Sequence, residues 1–268
     1  MPELPEIFSR VKEMHPELLG RSITGAEVLQ PKSLNINAKD FVSSLSGAVI
    51  RDIKAHGKWI FMEMTKGWLL LNLGMGGEIL LVTRQTLPEK YRLVIDFDDQ
   101  RCLAINFWWF GYAHFVQTEK LSEHKMTAKL GPNALEISEY DLKASMHGKR
   151  SRIKSYLLDQ SKIAGIGNAY VHDILWLAEL HPNQTIDKMD GEDISRLAHA
   201  IHGGLQPSLE KGGAFYERNI YGECGGFTME DIKIGYKEGQ ACPRCGTDIE
   251  KIKTGSTQSF ICPKCQFV

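Results

Sequence analysis

The first residues of this chain that could do chemistry are at its amino terminus, which reads Met1-Pro2-Glu3. Once Met1 is removed, Pro2 becomes a secondary amine beside the carboxylate of Glu3. An α-amino group titrates at about 7.7–8.0, so a useful fraction is unprotonated at neutral pH and can attack an electrophilic carbon. With Met1 retained, the same nitrogen is a tertiary amide and cannot react. The alternative interpretation is structural, because proline is common in the first turn of a helix.

Two Cys-x-x-Cys pairs near the carboxyl terminus are the second set of residues that could do chemistry. Residues 246–261, enough for one β-hairpin, separate the pairs, which consist of Cys242, Cys245, Cys262 and Cys265. Four thiolates give Zn²⁺ a closed tetrahedral shell, so one structural rather than catalytic ion per chain is expected. A redox dithiol is the alternative, but two pairs at this spacing favour zinc.

A basic stretch from His147 to Lys154 leads into Gly165 and Gly167, which allow tight turns and close backbone approach. We predict that Asn168 caps the next helix. The exposed amides at that helix start, with Lys154 nearby, would then form a phosphate site. A solvated basic face joined to an ordinary helix–turn–helix hairpin explains these residues about as well.

The elements that must position the amino terminus are a helix and a set of strands. Apolar spacing from Leu4 to Leu18 predicts a leading helix with Pro2 at its mouth. A short helix is predicted at Ala38–Leu45. Strand patterns, typical of a β-sandwich or barrel, cover Ser22–Leu29, Val49–Ala55, Trp59–Met64, Trp68–Leu73, Glu78–Val82, Arg92–Phe97, Arg101–Ile105 and Gly111–Val116.

The pattern changes after a polar, turn-like stretch between Lys120 and Asn133. Helical spacing then recurs over Ser138–Met146, Lys154–Leu158, Asn168–Leu180 and Asp193–Leu209. Residues 212–240, rich in glycine, tyrosine and charge, are predicted to form an irregular loop. The sequence therefore predicts an α+β fold with a β-sandwich domain over residues 1–130, a helical domain over 131–240 and a zinc ribbon over 241–268.

Composition limits the functions that the chain could have. The formal net charge is −1 and the pI is about 6.8, which argues against a wholly basic nucleic-acid coat but allows a local basic groove. The best candidate for a membrane span, Trp68–Val82, is broken by polar residues and glycines. Residues 1–20 carry charges of both signs, so no secretory signal is visible and we expect a cytoplasmic protein.

Taken together, the motifs resemble those of the formamidopyrimidine-DNA glycosylase / endonuclease VIII family of base-excision enzymes, over the whole chain. Residues 1–6 look like the start of that family, and Gly57-Lys58 falls where it has a β-hairpin lysine. Residues 73–77, with Met75 at their centre, look like its intercalation loop. Residues 154–170 look like its helix–two-turn–helix motif, and the four-cysteine ribbon closes the chain.

The resemblance implies a DNA glycosylase with AP lyase activity, acting in base-excision repair on double-stranded DNA that contains a damaged base or an abasic site. Pro2 would attack C1′ of a flipped nucleotide, Glu3 would protonate the sugar ring oxygen, and Lys58 would hold a flanking phosphate. Met75 would fill the gap that the flipped base leaves. Without the family context, Lys58 is better explained as an exposed strand lysine and Met75 as a core methionine. We expect a monomer, associated with the nucleoid if the organism is prokaryotic.

One departure from the family pattern lies before Gly111. The family usually has two arginines where this chain has Trp108 and Trp109, and tryptophan cannot make a charged fork to cytosine or phosphate. We predict that Trp108 and Phe110 act with Met75 as a more apolar, DNA-binding wedge, suited to a lesion other than ordinary oxidised guanine. The alternative is that both tryptophans pack in the sandwich.

Two further departures bear on catalysis. Thr257 stands where the family has a phosphate-gripping arginine, which leaves open whether δ-elimination follows β-elimination, and Asn72 stands where a histidine is frequent. The lost arginines favour a second hypothesis, a zinc-ribbon protein that binds damaged DNA without cutting it. The presence of Pro2, Glu3 and Lys58 favours the enzyme.

Overall fold

The computed structural model describes residues 1–108 and 110–267. They form two compact units, one of residues 1–129 with 211–226, the other of residues 130–210 with 227 onwards. The segment 211–226 is thus part of the amino-terminal unit, and the division into three domains remains a prediction. Within the described part of the chain, no helix combines the length and apolar composition that crossing a bilayer requires.

The leading helix, α1, runs from Leu4 to Leu18, as its apolar spacing predicts. Glu3 precedes it in an extended conformation, and the backbone N–H of Glu3 donates to Glu6 Oε2 at 2.8 Å, as the third residue of a capping box arranges. The apolar face is fully buried in the core of the sandwich, through Ile7, Met14 and Leu18 among others. This packing fixes the direction in which the amino terminus leaves the helix.

Eight strands in the described residues build two antiparallel sheets of four, so the predicted β-sandwich is confirmed. One sheet has the order β1-β6-β7-β5 and the other β2-β3-β4-β8. The strands are β1 Ile23–Val28, β2 Ile50–His56, β3 Trp59–Met64, β4 Gly67–Asn72, β5 Glu78–Thr83, β6 Leu93–Phe97, β7 Arg101–Asn106 and β8 Tyr112–Val116. Helix α2, Ala38–Leu45, begins at its cap Asn37, whose side chain accepts from the Asp40 N–H. Short 3₁₀ turns occupy Pro31–Ser33, Arg84–Thr86 and Thr118–Glu123.

The second unit contains four helices and a two-stranded ribbon among its described residues. They are α3 Glu139–Met146, α4 Ile153–Leu158, α5 Val171–Leu177, α6 Gly191–Glu210, β9 Glu250–Thr254 and β10 Thr257–Ile261, with a 3₁₀ turn at Ile186–Lys188. The predicted cap at Asn168 is wrong, because α5 begins at Val171 with Tyr170 as its N-cap. Residues 168–170 form a turn instead, in which the Val171 N–H donates to the Gly167 carbonyl oxygen at 3.1 Å.

Candidate active site

The amino terminus lies at the mouth of α1. Met1 is 43% exposed, whereas Pro2 is buried. The amino nitrogen of Met1 lies 3.8 Å from Glu217 Oε1. Removal of the exposed Met1 would therefore uncover the Pro2 nitrogen beside buried carboxylates.

Lys58 is brought next to Glu3, although 54 intervening residues separate them in the chain. Lys58 Nζ lies 4.0 Å from Glu3 Oε1, and the lysine side chain is only 15% exposed. Lys58 occupies the turn between β2 and β3, where Gly57 adopts φ +57°, a conformation that favours glycine. The alternative of an exposed strand lysine is therefore wrong, and a cation and a carboxylate flank the start of the chain.

Glu6 connects α1 to the loop of residues 211–226, which we call the α1-anchored loop. Its Oε1 accepts from the Ala214 N–H at 3.1 Å, while its Oε2 accepts from the Glu3 N–H. Gly213 passes so close, at φ +100°, that an added Cβ would lie 3.0 Å from Glu6 Cγ. One carboxylate thereby fixes both the entry into α1 and the position of the loop.

Glu217 is a functional candidate that the sequence analysis missed. It is 8% exposed and lies in the α1-anchored loop. Burial raises its pKa to about 7; Glu6 and Glu3 act in the same direction, and the amino terminus and Arg10 oppose them. No periodic pattern marks this loop in the sequence. Only the hydrogen bonds between the loop and α1 reveal that the Glu217 carboxyl belongs to the site.

Three apolar side chains are exposed in the loops next to β5 and β7: Met75 at 53%, Trp108 at 72% and Phe110 at 67%. Met75 lies in the loop before β5, whereas Trp108 and Phe110 lie in the loop after β7. These loops are neighbours because Glu78 of β5 pairs with Asn106 of β7. A Cβ added to Gly76 would lie 2.6 Å from Trp108 Cε3, so the indole rests on the Met75 loop. The alternatives of a core Met75 and a core Trp108 are wrong; Trp109 lies outside the described residues.

In the second unit, Lys154 is only 2% exposed, and its side chain donates hydrogen bonds to the ribbon. Its Nζ donates to Gln258 O at 2.5 Å, to Ser259 Oγ at 2.9 Å and to Thr257 Oγ1 at 3.2 Å. Burial lowers the pKa of Lys154 to about 8. The ammonium thus holds the β9–β10 turn, including the residue that replaces the family arginine. Asn168 is exposed, and its carbonyl oxygen accepts from the Tyr236 OH at 3.1 Å.

The four ribbon cysteines converge as a metal site requires. Their Sγ atoms all lie within 4.8 Å of one another, with Cys242 and Cys265 3.9 Å apart and Cys245 and Cys262 3.4 Å apart. A tetrahedral zinc with Zn–S bonds of about 2.3 Å separates its sulfurs by about 3.8 Å. The residues therefore fit a closed Zn²⁺ site that stabilises the ribbon.

Comparison with known proteins finds one family along the chain. The model of the formamidopyrimidine-DNA glycosylase N-terminal domain matches residues 1–106, that of the formamidopyrimidine-DNA glycosylase H2TH domain matches residues 130–218, and that of the zinc finger found in FPG and IleRS matches residues 239–267. A formamidopyrimidine-DNA glycosylase of Chloroflexus aurantiacus is 32% identical over 257 residues, covering 94% of this chain and 92% of the relative. One of Magnetococcus marinus is also 32% identical, with 94% of each chain covered.

Solved structures give the same result. A Lactococcus lactis Fpg in complex with DNA that contains an abasic site has a TM-score of 0.90 and 28% identity, covering 99% of this chain and 100% of that one. The G226P mutant of the Lactococcus lactis protein, in complex with DNA that contains Fapy-dG, has the same TM-score and identity, with 100% of both chains covered.

Proposed function

The chain belongs to the formamidopyrimidine-DNA glycosylase family, and we propose that Pro2 is the nucleophile with which it removes damaged bases from DNA. It is a DNA glycosylase with AP lyase activity, and its substrate is double-stranded DNA that contains a damaged base or an abasic site. Relatives were captured on DNA of both kinds. We propose that it acts in the cytoplasm, associated with the nucleoid if the organism is prokaryotic.

Base removal begins with extrusion of the damaged nucleotide, because C1′ cannot be reached inside the stack. Met75, Trp108 and Phe110 would enter the gap that the base leaves. Their exposure supports this role, since exposed apolar side chains gain by burial between bases. Unstacking costs a few kcal/mol, which the wedge offsets by stacking and by excluding water.

The chemistry then follows from the groups around the amino terminus. The Pro2 nitrogen attacks C1′, the bond from C1′ to the base breaks, and Glu3 delivers a proton to the ring oxygen O4′ as the sugar opens. An iminium between Pro2 and C1′ results. Lys58, 4.0 Å from Glu3, would hold the flanking phosphate and keep a positive charge next to that carboxyl.

The iminium makes the AP lyase step possible, because it acidifies the C2′ proton. Loss of that proton expels the 3′ phosphate by β-elimination. The ribbon has Thr257 where the family has an arginine, so the guanidinium that grips phosphate from that position is missing. We therefore expect the β-elimination product to accumulate rather than pass on to δ-elimination.

The second unit supplies binding surface rather than reacting atoms. Zn²⁺ on the four cysteines stabilises the ribbon, and Lys154 positions the β9–β10 turn for the DNA backbone. Asn168, exposed in the turn before α5, would contact phosphate. Lys154 thus acts on DNA through the ribbon, since the structure commits its ammonium to ribbon oxygens.

The observation that carries the proposal is the meeting of Glu3 and Lys58 beside a buried Pro2. Borohydride trapping on a duplex with an abasic site tests it. The mature protein, shown by mass to lack Met1, should form a covalent adduct, and a chain with Met1 retained by an uncleaved extension should form none. Pro2→Gly is a poor control because glycine still offers an amine. Tight binding to the duplex without any adduct would instead support the non-cutting DNA-binding protein.

A further inference from the structure

Glu217 is a buried carboxyl group that the steps above leave unused. It is 8% exposed, and its Oε1 is 3.8 Å from the amino nitrogen of the chain. Burying a carboxylate is costly unless a partner or a proton neutralises it. Its placement next to the proposed nucleophile therefore calls for a chemical explanation.

Hydrogen bonds to α1 hold the backbone around Glu217 in place. Three hydrogen bonds tie the α1-anchored loop to helix carboxylates: Ala214 N–H to Glu6 Oε1 at 3.1 Å, Ile220 N–H to Glu13 Oε2 at 3.0 Å and Tyr221 OH to Glu17 Oε1 at 2.8 Å. The backbone of Glu217 itself donates to the Ala214 carbonyl at 2.9 Å and accepts from the Gly225 N–H at 3.0 Å. The loop thus delivers this carboxyl to the start of α1.

Charged groups of both signs face Glu217. The amino terminus and Arg10 favour its carboxylate form, whereas Glu6 and Glu3 favour its protonated form. Burial, the largest influence, outweighs the amino terminus and Arg10 and raises the pKa of Glu217 to about 7. A group that titrates near the working pH can both accept and return a proton, which is what general acid–base catalysis requires.

From this geometry, and resting on the proposed role of Pro2, we propose that Glu217 is the proton acceptor that frees the Pro2 amine for attack. Removal of Met1 moves the amino nitrogen by one residue, a span of at most about 3.6 Å. One bridging water or a rotation of the Glu217 side chain then connects the carboxylate with the new terminus. Glu3, beside Lys58, is left to serve the sugar oxygen.

The proton balance of the step is complete with these two carboxyls. Glu217 takes one proton from the Pro2 ammonium, which leaves a neutral amine and a neutral carboxylic acid. The amine electron pair forms the bond to C1′ while the base departs with the electrons of its own bond, and the Glu217 proton, carried by water, neutralises the base. The remaining N–H proton passes through Glu3 to O4′ as the C1′–O4′ bond breaks. The products are the iminium, the ring-opened hydroxyl, the free base and both carboxylates.

The test is the pH profile of adduct formation under single-turnover conditions, on a lesion duplex, from pH 5.5 to 9.5. At pH 7, Glu217→Gln should be slower than wild type by up to about tenfold, because only about a tenth of an amine with a pKa near 8 is unprotonated there. The difference should shrink towards pH 9, where the amine is already unprotonated. Glu217→Asp should recover part of the rate. Glu223→Gln, which changes an exposed carboxylate of the same loop, should follow the wild-type profile.

Two results would overturn the role of Glu217. One is a Glu217→Gln profile that matches wild type, and the other is a loss of equal size at every pH, which a purely structural role would give. Failure of the proposed function itself looks different. In that case wild-type protein, shown by mass to begin at Pro2, forms no trapped adduct at any pH.

Discussion

The side-chain Nδ2 of Asn72 donates a hydrogen bond to the carbonyl oxygen of Lys58 at 2.9 Å. Its Oδ1 accepts from the Gly74 N–H at 3.0 Å, so the same side chain also holds the loop that carries Met75. Asn72 is 7% exposed, and little water competes for these bonds. Asn72, which stands where a histidine is frequent in the family, thus connects the turn that carries Lys58 with the loop that carries Met75.

Replacing Asn72 by alanine should uncouple these two parts of the site. The change leaves buried backbone groups without partners, which costs about 1–3 kcal/mol of the free energy of unfolding. We expect the single-turnover rate of adduct formation to fall roughly tenfold, because a small misplacement of a positioning group is costly. Urea unfolding and borohydride trapping measure the two effects.

Asn35→Ala is the matched control for this change. Asn35 also exchanges two hydrogen bonds with backbone, to Phe115 O at 2.8 Å and from Phe115 N at 2.9 Å, and Phe115 lies in β8 rather than in either loop. Its loss should lower stability and leave the rate per folded molecule unchanged. An equal loss of rate in both variants would mean that Asn72 contributes only through global stability.

Trp108→Ala should weaken binding to a lesion duplex by about tenfold or more, since stacking of an aromatic side chain on a base is worth about 1–3 kcal/mol. The indole carries no charge, so the slope of log affinity against log salt should stay the same. Fluorescence anisotropy at several salt concentrations checks both statements. Tyr140→Ala, which removes an aromatic ring that is 80% exposed in the second unit, is the control. Full activity of Trp108→Ala on oxidised guanine opposite cytosine would argue against the wedge.

Gly76→Ala tests whether the Met75 loop positions Trp108. The new Cβ would lie 2.6 Å from Trp108 Cε3, so the indole must move. We expect most of the affinity loss seen in Trp108→Ala, and little additional loss when both changes are combined. Gly20→Ala is the control, because Gly20 also has positive φ, +78°, but nothing lies within 4 Å of its added Cβ. Additive losses of affinity would show that the two residues act independently.

The sequence predicted those parts of the fold that depend on neighbours in the chain. Helix α1, helix α2 and strand β3 show clear local periodicity, and the structure has them where the pattern puts them. The start of α5 was misplaced by three residues, because a turn at residues 168–170 satisfies the backbone before the helix begins. Local polarity alone could not distinguish that turn from a capped helix end.

Long-range contacts explain what the sequence did not reveal about the site. Glu217 belongs to it because Ala214 bonds to Glu6, a pair far apart in the chain. The sequence predicts that Lys154 lies at a phosphate site, whereas in the structure Lys154 is buried and donates its hydrogen bonds to oxygens of the distant ribbon. In both cases the deciding partner is far away in the chain, so no local rule could identify it.

Stability should depend on pH through Glu217. Its pKa is raised from 4.5 to about 7 in the folded protein, so the folded state binds the proton more tightly. The resulting stabilisation is fully present below about pH 4.5 and is lost as the pH rises through 7. Between these values the unfolding free energy of wild type should fall relative to Glu217→Gln, by at most about 1.4 kcal/mol per pH unit. Urea unfolding of both proteins at a series of pH values measures it, and parallel curves would contradict the raised pKa.

Loss of zinc should release the ribbon and, with it, the oxygens around Lys154. Cys262→Ser removes a fully buried ligand, and we expect the bound zinc to fall from one ion per chain to none. The ribbon would then lose its fold, Lys154 would lose its ribbon acceptors, and affinity for duplex DNA should fall at least tenfold. Metal analysis, thermal unfolding and a binding titration follow the three effects. Cys224→Ser, at an exposed cysteine outside the cluster, should leave all three unchanged. A Cys262→Ser protein that binds DNA like wild type would show that the ribbon is dispensable for binding.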